Sequence, residues 1–431
     1  MNNISQNNSK KLIWPIIRSN KTVDTVRRIT FLIVITTLLV GYSLSSLLLL
    51  TGYYPSATTI FAHQQSTSSI WEIVDHPFDQ KTIVFTDIYF INATTGWVIG
   101  YNETWGSSQG IVLFTTDGGQ SWLRQLNNIS LNLVSSIKVV NDSTIWISSS
   151  SVLYISHDYG QTWNKSVVIT GGYGIGRPEF INITHGFVGT GSGLFRTTNG
   201  GRSWMKMDSW DRNVTGDMPR QIHFCDKHNG WILGIYGIYH TADGGDTWQK
   251  VFDYGGWSFD FIDDKEAWMV GDNMLAHMTD GKNWYRVLPM PKYKSDPILL
   301  PDIPYFTDVD FIDHYHGWIV GMNPASIYTP NSGRDWYWLA MPDDFVSDDY
   351  PRLNAVLFIN QTFGWAVGGN GYILRTTSGD DTTGEKFHIS TGLFDFESSF
   401  CLLVLLGGGL IITGLTVYLI IVWHKKQQHT S

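Results

Sequence analysis

The stretch Thr241-Ala242-Asp243-Gly244-Gly245-Asp246-Thr247-Trp248 (TADGGDTW) has the composition of a tight turn between two β-strands. Gly244 and Gly245 tolerate the positive φ angles that short hairpin turns require. The carboxylate of Asp243 is short enough to accept hydrogen bonds from backbone N–H groups of the same turn. We therefore predict a hairpin that is stabilised by its own side chains, with Trp248 covering the adjacent sheet.

The same pattern recurs along the chain. Close copies occupy residues 115–122 (TTDGGQSW), 156–163 (SHDYGQTW) and 197–204 (TTNGGRSW), and weaker copies occupy 278–284 (MTDGKNW), 329–336 (TPNSGRDW) and 376–382 (TTSGDDT). A repeat with a period of tens of residues is typical of propellers and solenoids. Because the acidic or amide side chains lie on separate repeats, we interpret them as structural residues rather than catalytic pairs: Asp117, Asp158, Asn199, Asp243, Asp280 and Asn331.

A second motif keeps step with the first. It is an apolar pair followed by Asn or Asp, with Trp or Phe five residues later, and its copies begin at Phe90, Val139, Phe180, Phe224, Phe261, Phe311 and Phe358. Each unit predicts four short strands, which in the fourth unit are Arg220–Cys225, Trp231–Gly234, Gly237–Thr241 and a strand from Trp248. Seven such units predict an all-β, seven-bladed β-propeller. The last unit lacks its closing Trp, so we predict that an N-terminal strand at Trp71 completes it and closes the ring.

Two segments outside the repeats, residues 29–51 and 399–423, are apolar and long enough for membrane helices. Lys and Arg precede the first and follow the second, so both termini are predicted to be cytoplasmic, with the propeller on the extracytoplasmic side of the cell membrane. The predicted order is a basic leader 1–28, helix 29–51, linker 52–69, propeller 70–383, linker 384–398, helix 399–423 and tail 424–431. A cleaved signal peptide is the alternative interpretation of the first segment.

Glycosylation acceptors support the extracytoplasmic placement. Asn-x-Ser/Thr triplets (sequons) between the two apolar segments lie at Asn92, Asn102, Asn128, Asn141, Asn164, Asn182, Asn213 and Asn360. Sequons also occur in the leader at Asn3, Asn7 and Asn20, so the pattern is supporting evidence and does not decide the topology by itself.

Composition excludes several classes of function. The formal net charge is −9 and no basic stripe is present, which argues against nucleic-acid binding. Of the two cysteines, Cys401 lies in the second apolar segment, which leaves Cys225 without a disulfide partner in the propeller. The histidines that invite a metal interpretation, His185, His228 and His316, lie on separate repeats, so we predict no metal site and no cofactor.

Loops of variable length join the second strand to the third and each unit to the next. They share one face of a propeller, here called the loop face, whereas the repeated turns share the opposite face, here called the Asp-box face. Variable loops on a rigid scaffold commonly carry binding residues. The candidates mix aromatic, Arg and acidic side chains, as protein or glycan interfaces do, although solvated loops without a function are the alternative: Trp105, Tyr173, Arg177, Trp210, Arg212, Arg220, Tyr293, Tyr305, Asp344, Tyr350 and Arg352.

The turn pattern (S/T)-x-D-x-G-x-(S/T)-W resembles the Asp-box, or BNR, repeat. Together with Gly-Trp-x-x-Gly strands at 96–100, 230–234, 317–321 and 364–368, it resembles the photosystem II assembly and stability factor family. This resemblance implies a seven-bladed propeller that binds a membrane-protein client and has no enzymatic activity. The chain departs from that family in its two predicted membrane spans and its many sequons.

Two functions are consistent with these observations. The first is a non-enzymatic, membrane-anchored scaffold whose partner is a protein client or a surface glycan. The alternative is a sialidase-like or other glycan-cleaving hydrolase on the same fold, which would bring several Arg, a Tyr–Glu pair and an acidic Asp together. The Arg-Ile-Pro signature of sialidases is absent, and Arg177-Pro178 is the nearest approach to it.

Overall fold

The computed structural model describes residues 69–78, 82–104, 107–125, 134–141, 143–150, 152–168, 174–210, 215–287, 305–322, 325–346, 352–384 and 386–388. The chain divides into two compact units, Met1–Ala62 and His63–Ser431, and every described residue belongs to the second. The predicted membrane segments 29–51 and 399–423, with the leader, the tail and most of both linkers, lie outside these ranges. In the part that is described, no helix has the length and apolar character needed to cross a membrane.

The described chain forms seven antiparallel sheets that succeed one another in sequence order, as the repeats predict. The strands of blades 1 to 3 are β2 (Ile83–Phe90), β3 (Gly96–Thr104), β4 (Ser107–Thr115), β5 (Leu123–Arg124); β6 (Val134–Val139), β7 (Ile145–Ser149), β8 (Val152–Ser156), β9 (Asn164–Val168); and β10 (Glu179–Phe180), β11 (Gly186–Thr190), β12 (Gly193–Thr197), β13 (Met205–Lys206). Those of blades 4 and 5 are β14 (Pro219–Phe224), β15 (Gly230–Gly234), β16 (Ile238–Thr241), β17 (Gln249–Phe252); and β18 (Ser258–Phe261), β19 (Ala267–Gly271), β20 (Met274–Met278), β21 (Trp284–Arg286). Blades 6 and 7 contain β22 (Phe306–Phe311), β23 (Gly317–Gly321), β24 (Ser326–Thr329), β25 (Asp335–Trp338), and β26 (Leu353–Phe358), β27 (Gly364–Gly368), β28 (Ile373–Thr376). One short helix, α1 (Asp343–Val346), and a 3-10 turn, Gly369–Gly371, lie in the connections.

The N-terminal strand closes the ring. Strand β1 (Trp71–Ile73) pairs antiparallel with β28 of blade 7, in a register that places Trp71 opposite Thr376. Trp71 is buried and meets Phe358 edge to face. The prediction that Trp71 starts the missing fourth strand of the last blade is therefore confirmed, and so is the seven-bladed fold.

The C-terminal boundary of the propeller differs from the prediction, which ended the propeller at residue 383. Strand β29 (Lys386–His388) pairs with β25 as a fifth, outermost strand of blade 6. Lys386 Nζ also lies 3.0 Å from a carboxylate oxygen of Asp335. An outer strand leaves backbone N–H and C=O groups unpaired, and the chain that leaves blade 7 satisfies some of them. Residues 386–388, which the prediction placed in the linker, are therefore part of the sheet of blade 6.

The Asp-box turn of blade 4 shows what its side chains do. Asp243 Oδ1 accepts hydrogen bonds from the hydroxyl of Thr241 (2.7 Å) and the backbone N–H of Thr247 (2.8 Å). The φ angles of Gly244 and Gly245 are 74° and 91°. The hydrogen bond from the Thr247 hydroxyl is the largest of the causes that lower the pKa of Asp243 to about 2. These donated hydrogen bonds favour the ionised form of the carboxylate.

The two repeated motifs interlock between neighbouring blades. The second glycine of the blade 3 turn, Gly201, faces the ring of Trp146 from blade 2, where a Cβ would overlap the ring. The same Trp146 stacks on Phe180, at the end of the first strand of blade 3, with centroids 5.2 Å apart. Equivalent contacts join the strand-two aromatic residue of one blade to the next blade at Phe187/Gly245, Trp268/Gly333 and Trp365/Gly119. The turn glycine and the aromatic residue therefore recur together, because the ring occupies the space that a Cβ at the glycine position would need.

The first strands line the centre of the ring and are joined by side chains. In five blades the first strand has a bulge near its loop-face end. The bulged residue donates to a carbonyl of the next blade, as Thr86 does to Val134 (3.0 Å) and Asn354 does to Phe85 (2.7 Å). The second of these bonds joins blade 7 to blade 1. These bonds join five of the seven pairs of neighbouring blades around the central channel.

Candidate functional site in the channel and on the loop face

An ion pair spans three blades in the channel. Nη2 of Arg177, just before β10, lies 2.6 Å from both carboxylate oxygens of Asp87 on β2. Asp87 also accepts the backbone N–H of Ile88 and of Ile137, each at 2.9 Å. Burial alone would lower the pKa of Arg177, but the negative charges of Asp87 and then Asp308 outweigh it and raise that pKa. Arg177 is therefore a fixed positive charge inside the ring.

Three further carboxylates face the channel from blades 5 and 6. Burial raises the pKa of Asp260 to about 7 and that of Asp308 to about 6. The pKa of Asp310 is also raised, first by burial and then by the charge of Asp260. Like charges in a poorly hydrated space oppose each other's ionisation, so this group holds protons at pH values where an exposed Asp holds none.

Each of these carboxylates accepts a backbone hydrogen bond from the following blade. The N–H groups that bind Asp260, Asp308 and Asp310 belong to Phe311 (2.7 Å), Val356 (2.9 Å) and Phe358 (2.6 Å). The inner edge of each blade has N–H groups without a strand partner, and the carboxylates satisfy them. The acidic lining therefore has a structural role in joining blades.

Further channel groups lie nearer the Asp-box face, on the same level as Asp260 and Asp310. Nζ of Lys138 lies 2.6 Å from Oε2 of Glu179, and Nδ1 of His223 lies 3.7 Å from Oε1 of the same residue. The His223 ring stacks on Phe261 at 4.3 Å, and burial lowers its pKa. This set is paired internally, and no Tyr of the described residues hydrogen-bonds to Glu179 to form the Tyr–Glu pair in which a sialidase uses the Tyr as nucleophile.

The arginines of the described residues do not gather in the channel. Arg196 pairs with Asp246 at 3.3 Å, and Arg375 pairs with Glu72 at 3.1 Å, both from the third strands of their blades. Arg177 is thus the described arginine that meets the channel carboxylates. A single Arg that is held by Asp87 does not make the multi-arginine site that a sialidase uses to bind a substrate carboxylate.

The loop face carries an exposed aromatic cluster at blades 4 and 5. The guanidinium carbon of Arg220 lies 4.1 Å above the Trp257 ring, and its Nη1 donates to the Gly256 carbonyl at 3.0 Å. Trp257 Nε1 donates to Asp272 at 2.5 Å. Burial lowers the pKa of Arg220, and the charges of Asp272 and Asp217 partly oppose that effect. Trp257 is 41% exposed, although Arg220 covers one face of its ring and Asp272 binds its indole N–H.

Two tyrosines extend this cluster. Tyr236 and Tyr254 are 62% and 51% exposed. Asp217 holds the loop before Tyr236 by accepting the N–H of Ile235 (2.7 Å) and of Tyr236 itself (3.0 Å). Gly255, next to Tyr254, packs directly on the carbonyls of this loop. We call Tyr236, Tyr254, Trp257 and Arg220 the blade 4–5 cluster; its backbone is held in place while its rings face solvent.

The other predicted binding residues are dispersed. Tyr305 forms an isolated bridge with Asp272, which places it beside the blade 4–5 cluster. The carbonyl of Asp344 in α1 accepts the Tyr372 hydroxyl at 3.3 Å, and Arg352 is exposed where it bridges Met322. The predictions for Trp105, Tyr173, Arg212, Tyr293 and Tyr350 lie outside the described residues.

Trp210 is not on the surface, contrary to the sequence-based expectation. Its side chain is fully buried and packs edge to face on Tyr239 and Trp248 of blade 4, with centroids 4.6 Å and 6.0 Å away. The connection from blade 3 places Trp210 over the sheet of blade 4. Packing the indole on the rings of Tyr239 and Trp248 removes apolar surface from water, which stabilises the fold more than an exposed indole would. Trp210 is therefore part of the core and does not face a partner.

The sequons that the structure describes lie mostly in exposed turns. Asn92, Asn141, Asn182 and Asn360 occupy the same position of the turn between the first two strands of their blades, and all four are exposed. Asn164 is also exposed and Asn102 is half-buried, whereas Asn128 and Asn213 lie outside the described ranges.

Sequence reasoning named Arg177 as a loop-face candidate, but it missed the position of Arg177 in the channel, the channel carboxylates and the exposed rings of blades 4 and 5. The repeat carried a usable signal for the channel residues, because Asp87, Arg177 and Asp308 each stand three residues before the motif Phe that ends the first strand. Glu179, Asp260 and Asp310 each stand one residue before it. Alignment of the first strands would have placed these residues on two shared levels of the channel.

Comparison with known proteins agrees with this architecture. Residues 63–170 and 213–304 match the model of the family described as photosynthesis system II assembly factor YCF48. The chloroplastic photosystem II stability/assembly factor HCF136 of Oryza sativa subsp. japonica is 31% identical over 100 residues, which are 23% of this chain and 22% of the rice protein. The matched stretch thus spans about a fifth of that relative.

Solved structures show the same fold. A structure described as YCF48 bound to D1 peptide has a TM-score of 0.53 and 17% identity, covering 72% of this chain and 98% of its own. YCF48 from Cyanidioschyzon merolae has a TM-score of 0.53 and 19% identity, with the same coverage. The propeller of this chain therefore has the fold of these proteins, and its sequence is similar to the photosystem II assembly factor YCF48 family over residues 63–170 and 213–304.

Proposed function

We propose that the chain is a non-enzymatic, membrane-anchored propeller that binds a protein client through the loop face on the extracytoplasmic side. The family supports a protein-binding role, since one relative is described as bound to D1 peptide. The two apolar segments and the sequons support the membrane anchor and the location. We do not propose the D1 peptide, which is described for that relative, as the client of this chain.

The observation that carries the proposal is the blade 4–5 cluster. Exposed Trp and Tyr rings beside an Arg are the residue types that dominate binding energy in protein interfaces. Their backbone is already ordered by Asp217 and by the packing of Gly255, so a partner orders little chain on binding. Exposed rings of this size are costly to keep in water unless they contact something.

The channel supports the non-enzymatic part of the proposal. Its carboxylates already accept hydrogen bonds from the following blade, and its Arg is already paired with Asp87. Glycan hydrolysis needs two carboxyl groups free to act on a substrate, together with room for it. The described residues offer a closed network instead.

The test compares exposed side chains in the full-length chain. Tyr236→Ala and Trp257→Ala remove rings of the blade 4–5 cluster, and Leu123→Ala removes an apolar side chain that is 65% exposed on the outer strand of blade 1. After solubilisation of native membranes, we expect one membrane protein to co-purify in stoichiometric amounts with the unaltered chain and Leu123→Ala. Its recovery should fall at least tenfold with either cluster variant. Recovery of the unaltered chain alone, or equal recovery with all variants, would contradict the proposal.

A further inference from the structure

The sequons are confined to one side of the ring. All eight that lie between the apolar segments belong to blades 7, 1, 2 and 3 or to the connections that follow them, and residues 219–353, which build blades 4 to 6, contain none. Blades 7, 1, 2 and 3 are consecutive around the closed ring. We call them the sequon side and call blades 4, 5 and 6 the bare side.

Equivalent turns show that the fold does not require this division. Asn92 Oδ1 accepts the backbone N–H of Thr95 at 2.9 Å, and Asp226 Oδ1 accepts the equivalent N–H of Asn229 at 2.7 Å. Asp263 and Asp313 occupy the same turn position in blades 5 and 6 and make the same bonds. Asn and Asp are therefore interchangeable for turn geometry, and they differ in whether an amide nitrogen is present for glycosylation.

The two sides also differ in charge. Residues 219–346 contain 18 Asp and Glu against nine Lys and Arg, whereas residues 70–218 and 347–388 of the sequon side together contain 17 against 12. Three of these acids, Asp260, Asp308 and Asp310, face the channel, and most of the others are on the outside, including Asp226, Asp264 and Asp246. The bare side therefore presents a negative surface to a partner.

Exposed aromatic rings follow the same division. Among the described residues, Tyr236, Tyr254, Trp257, Tyr285 and Tyr315 of the bare side are between 41% and 62% exposed. On the sequon side the corresponding large exposed ring is Tyr159, at 40%. Aromatic rings among carboxylates suit a partner that contributes Lys and Arg, since these cations pair with the acids and lie over the ring faces.

We propose that glycans coat the sequon side and that the Asp-box face of the bare side docks a Lys- and Arg-rich segment of the same protein client that contacts the loop face. This inference rests on the proposed function, because it requires a protein client outside the cytoplasm. Glycosylation joins asparagine Nδ2 to the anomeric carbon of a lipid-linked sugar donor; the bond from that carbon to the phosphate oxygen breaks, and the lipid phosphate leaves while the amide nitrogen loses a proton. Bulky glycans exclude other macromolecules from the surface that they cover, so the client is left with the bare side.

The first experiment moves a sequon onto the bare side. Asp226→Asn with His228→Thr creates Asn-Lys-Thr in a turn that already has sequon geometry in blade 1, so folding is preserved. Asp226→Asn alone is the matched control, because it keeps the turn without creating a sequon. Asn182→Asp removes a sequon from the other side in the same way. Endoglycosidase digestion should shift the mass of the native chain and show one extra glycan on the double variant; no shift of the native chain would overturn the inference.

The second measurement locates the basic segment by a photo-reactive amino acid on the Asp-box face, placed at Tyr315 of the bare side or at Tyr159 of the sequon side, in the full-length chain in its native membranes. We expect an adduct from Tyr315 whose attached segment, identified by mass spectrometry, is rich in Lys and Arg. The adduct should decrease with added salt and at least fivefold in the Asp226→Asn, His228→Thr variant, and it should persist with Asp226→Asn and Asn182→Asp.

Several outcomes would overturn the docking surface. These are an equal adduct from Tyr159, an attached segment without basic residues, an adduct to lipid or to a second copy of this chain, and an adduct that the added glycan does not reduce. If Tyr236→Ala abolishes co-purification while the added glycan has no effect, the loop-face proposal stands and the bare-side inference falls alone.

Discussion

Trp365 of blade 7 stacks on Phe90 of blade 1, with ring centroids 3.5 Å apart and planes inclined by 11°. The indole Nε1 of Trp365 also donates to the carbonyl of Gly118 in the Asp-box turn of blade 1, at 3.1 Å. The contact that repeats between consecutive blades thus recurs between residues at opposite ends of the propeller sequence. Ring closure uses the same packing as every other blade interface, together with the added strand β1.

The interlocking of turn glycines with tryptophan predicts a large effect of one methyl group. Gly201→Ala places a Cβ against Trp146 at a φ of +78°, and both the overlap and the left-handed backbone oppose it. We expect the free energy of unfolding to fall by about 3 kcal/mol. Gly216→Ala is the control, since its φ is +68° but no atom lies within 4 Å of its Cβ, and we expect a loss of about 1 kcal/mol. Denaturant titration followed by Trp fluorescence measures both, and equal losses would disprove the packing argument.

Closure by β1 predicts that Trp71 stabilises the propeller as a core residue does. Trp71→Ala removes a buried ring that packs on Phe358, and we expect a loss of roughly 3–5 kcal/mol. Glu72→Ala changes the adjacent residue, whose side chain is 68% exposed and pairs with Arg375 at 3.1 Å, and we expect a change within about 0.5 kcal/mol. Thermal unfolding of the two variants measures these losses. If the N-terminal segment did not close the ring, both variants would lose little stability, which would contradict the prediction.

The channel acids predict opposite effects of two isosteric substitutions. The raised pKa values of Asp260 (about 7) and Asp310 mean that the folded state binds more protons than the unfolded state above pH 4, so ionisation destabilises it as pH rises towards 7. Asp310→Asn should raise the melting temperature at pH 8 and leave it nearly unchanged at pH 5. Asp87→Asn weakens the partner of Arg177 and should lower the melting temperature at both pH values. A decrease at pH 8 with Asp310→Asn would show that its charge is needed for folding.

A His–Glu bridge between blades 5 and 6 predicts a pH-dependent interface. The hydrogen bond between His314 Nδ1 and Glu266 (2.6 Å) is the main cause of the raised pKa of His314. Burial would raise the pKa of Glu266, but hydrogen bonds from His277 and His314 lower it. The His314 contribution is complete below its unfolded value of 6.5 and is lost as pH rises, whereas that of Glu266 is present above 4.5 and is lost as pH falls.

The bridge therefore stabilises most between pH 4.5 and 6.5. His314→Gln should lower stability by about 0.5 kcal/mol in that window, because His314 is half exposed, and by much less at pH 9. Melting temperatures across pH 4 to 9 measure the difference between the two proteins. A difference that does not vary with pH would assign the effect of the substitution to packing.

Much of the fold was predictable because the signals are local. The hydrogen bonds of Asp243 stay within eight residues, and the strands predicted in blade 4 agree with β14 to β17 within about one residue at most ends. The number of blades follows from counting the turns. The strand at Trp71 was assigned correctly because the seventh unit has no Trp after its turn, whereas Trp71 precedes the first unit and belongs to no complete unit.

The sequence by itself determined the repeat, the number of blades, the closing strand and the confinement of sequons to one side, since these depend on residue identity and short spacings. Only the tertiary structure decided that Arg177 meets Asp87, that Trp210 is core, that β29 extends blade 6, and that the exposed rings of blades 4 and 5 gather on one face. Each of these depends on contacts between different blades or their connections. Ring closure sets those distances, and no local pattern in the chain encodes them.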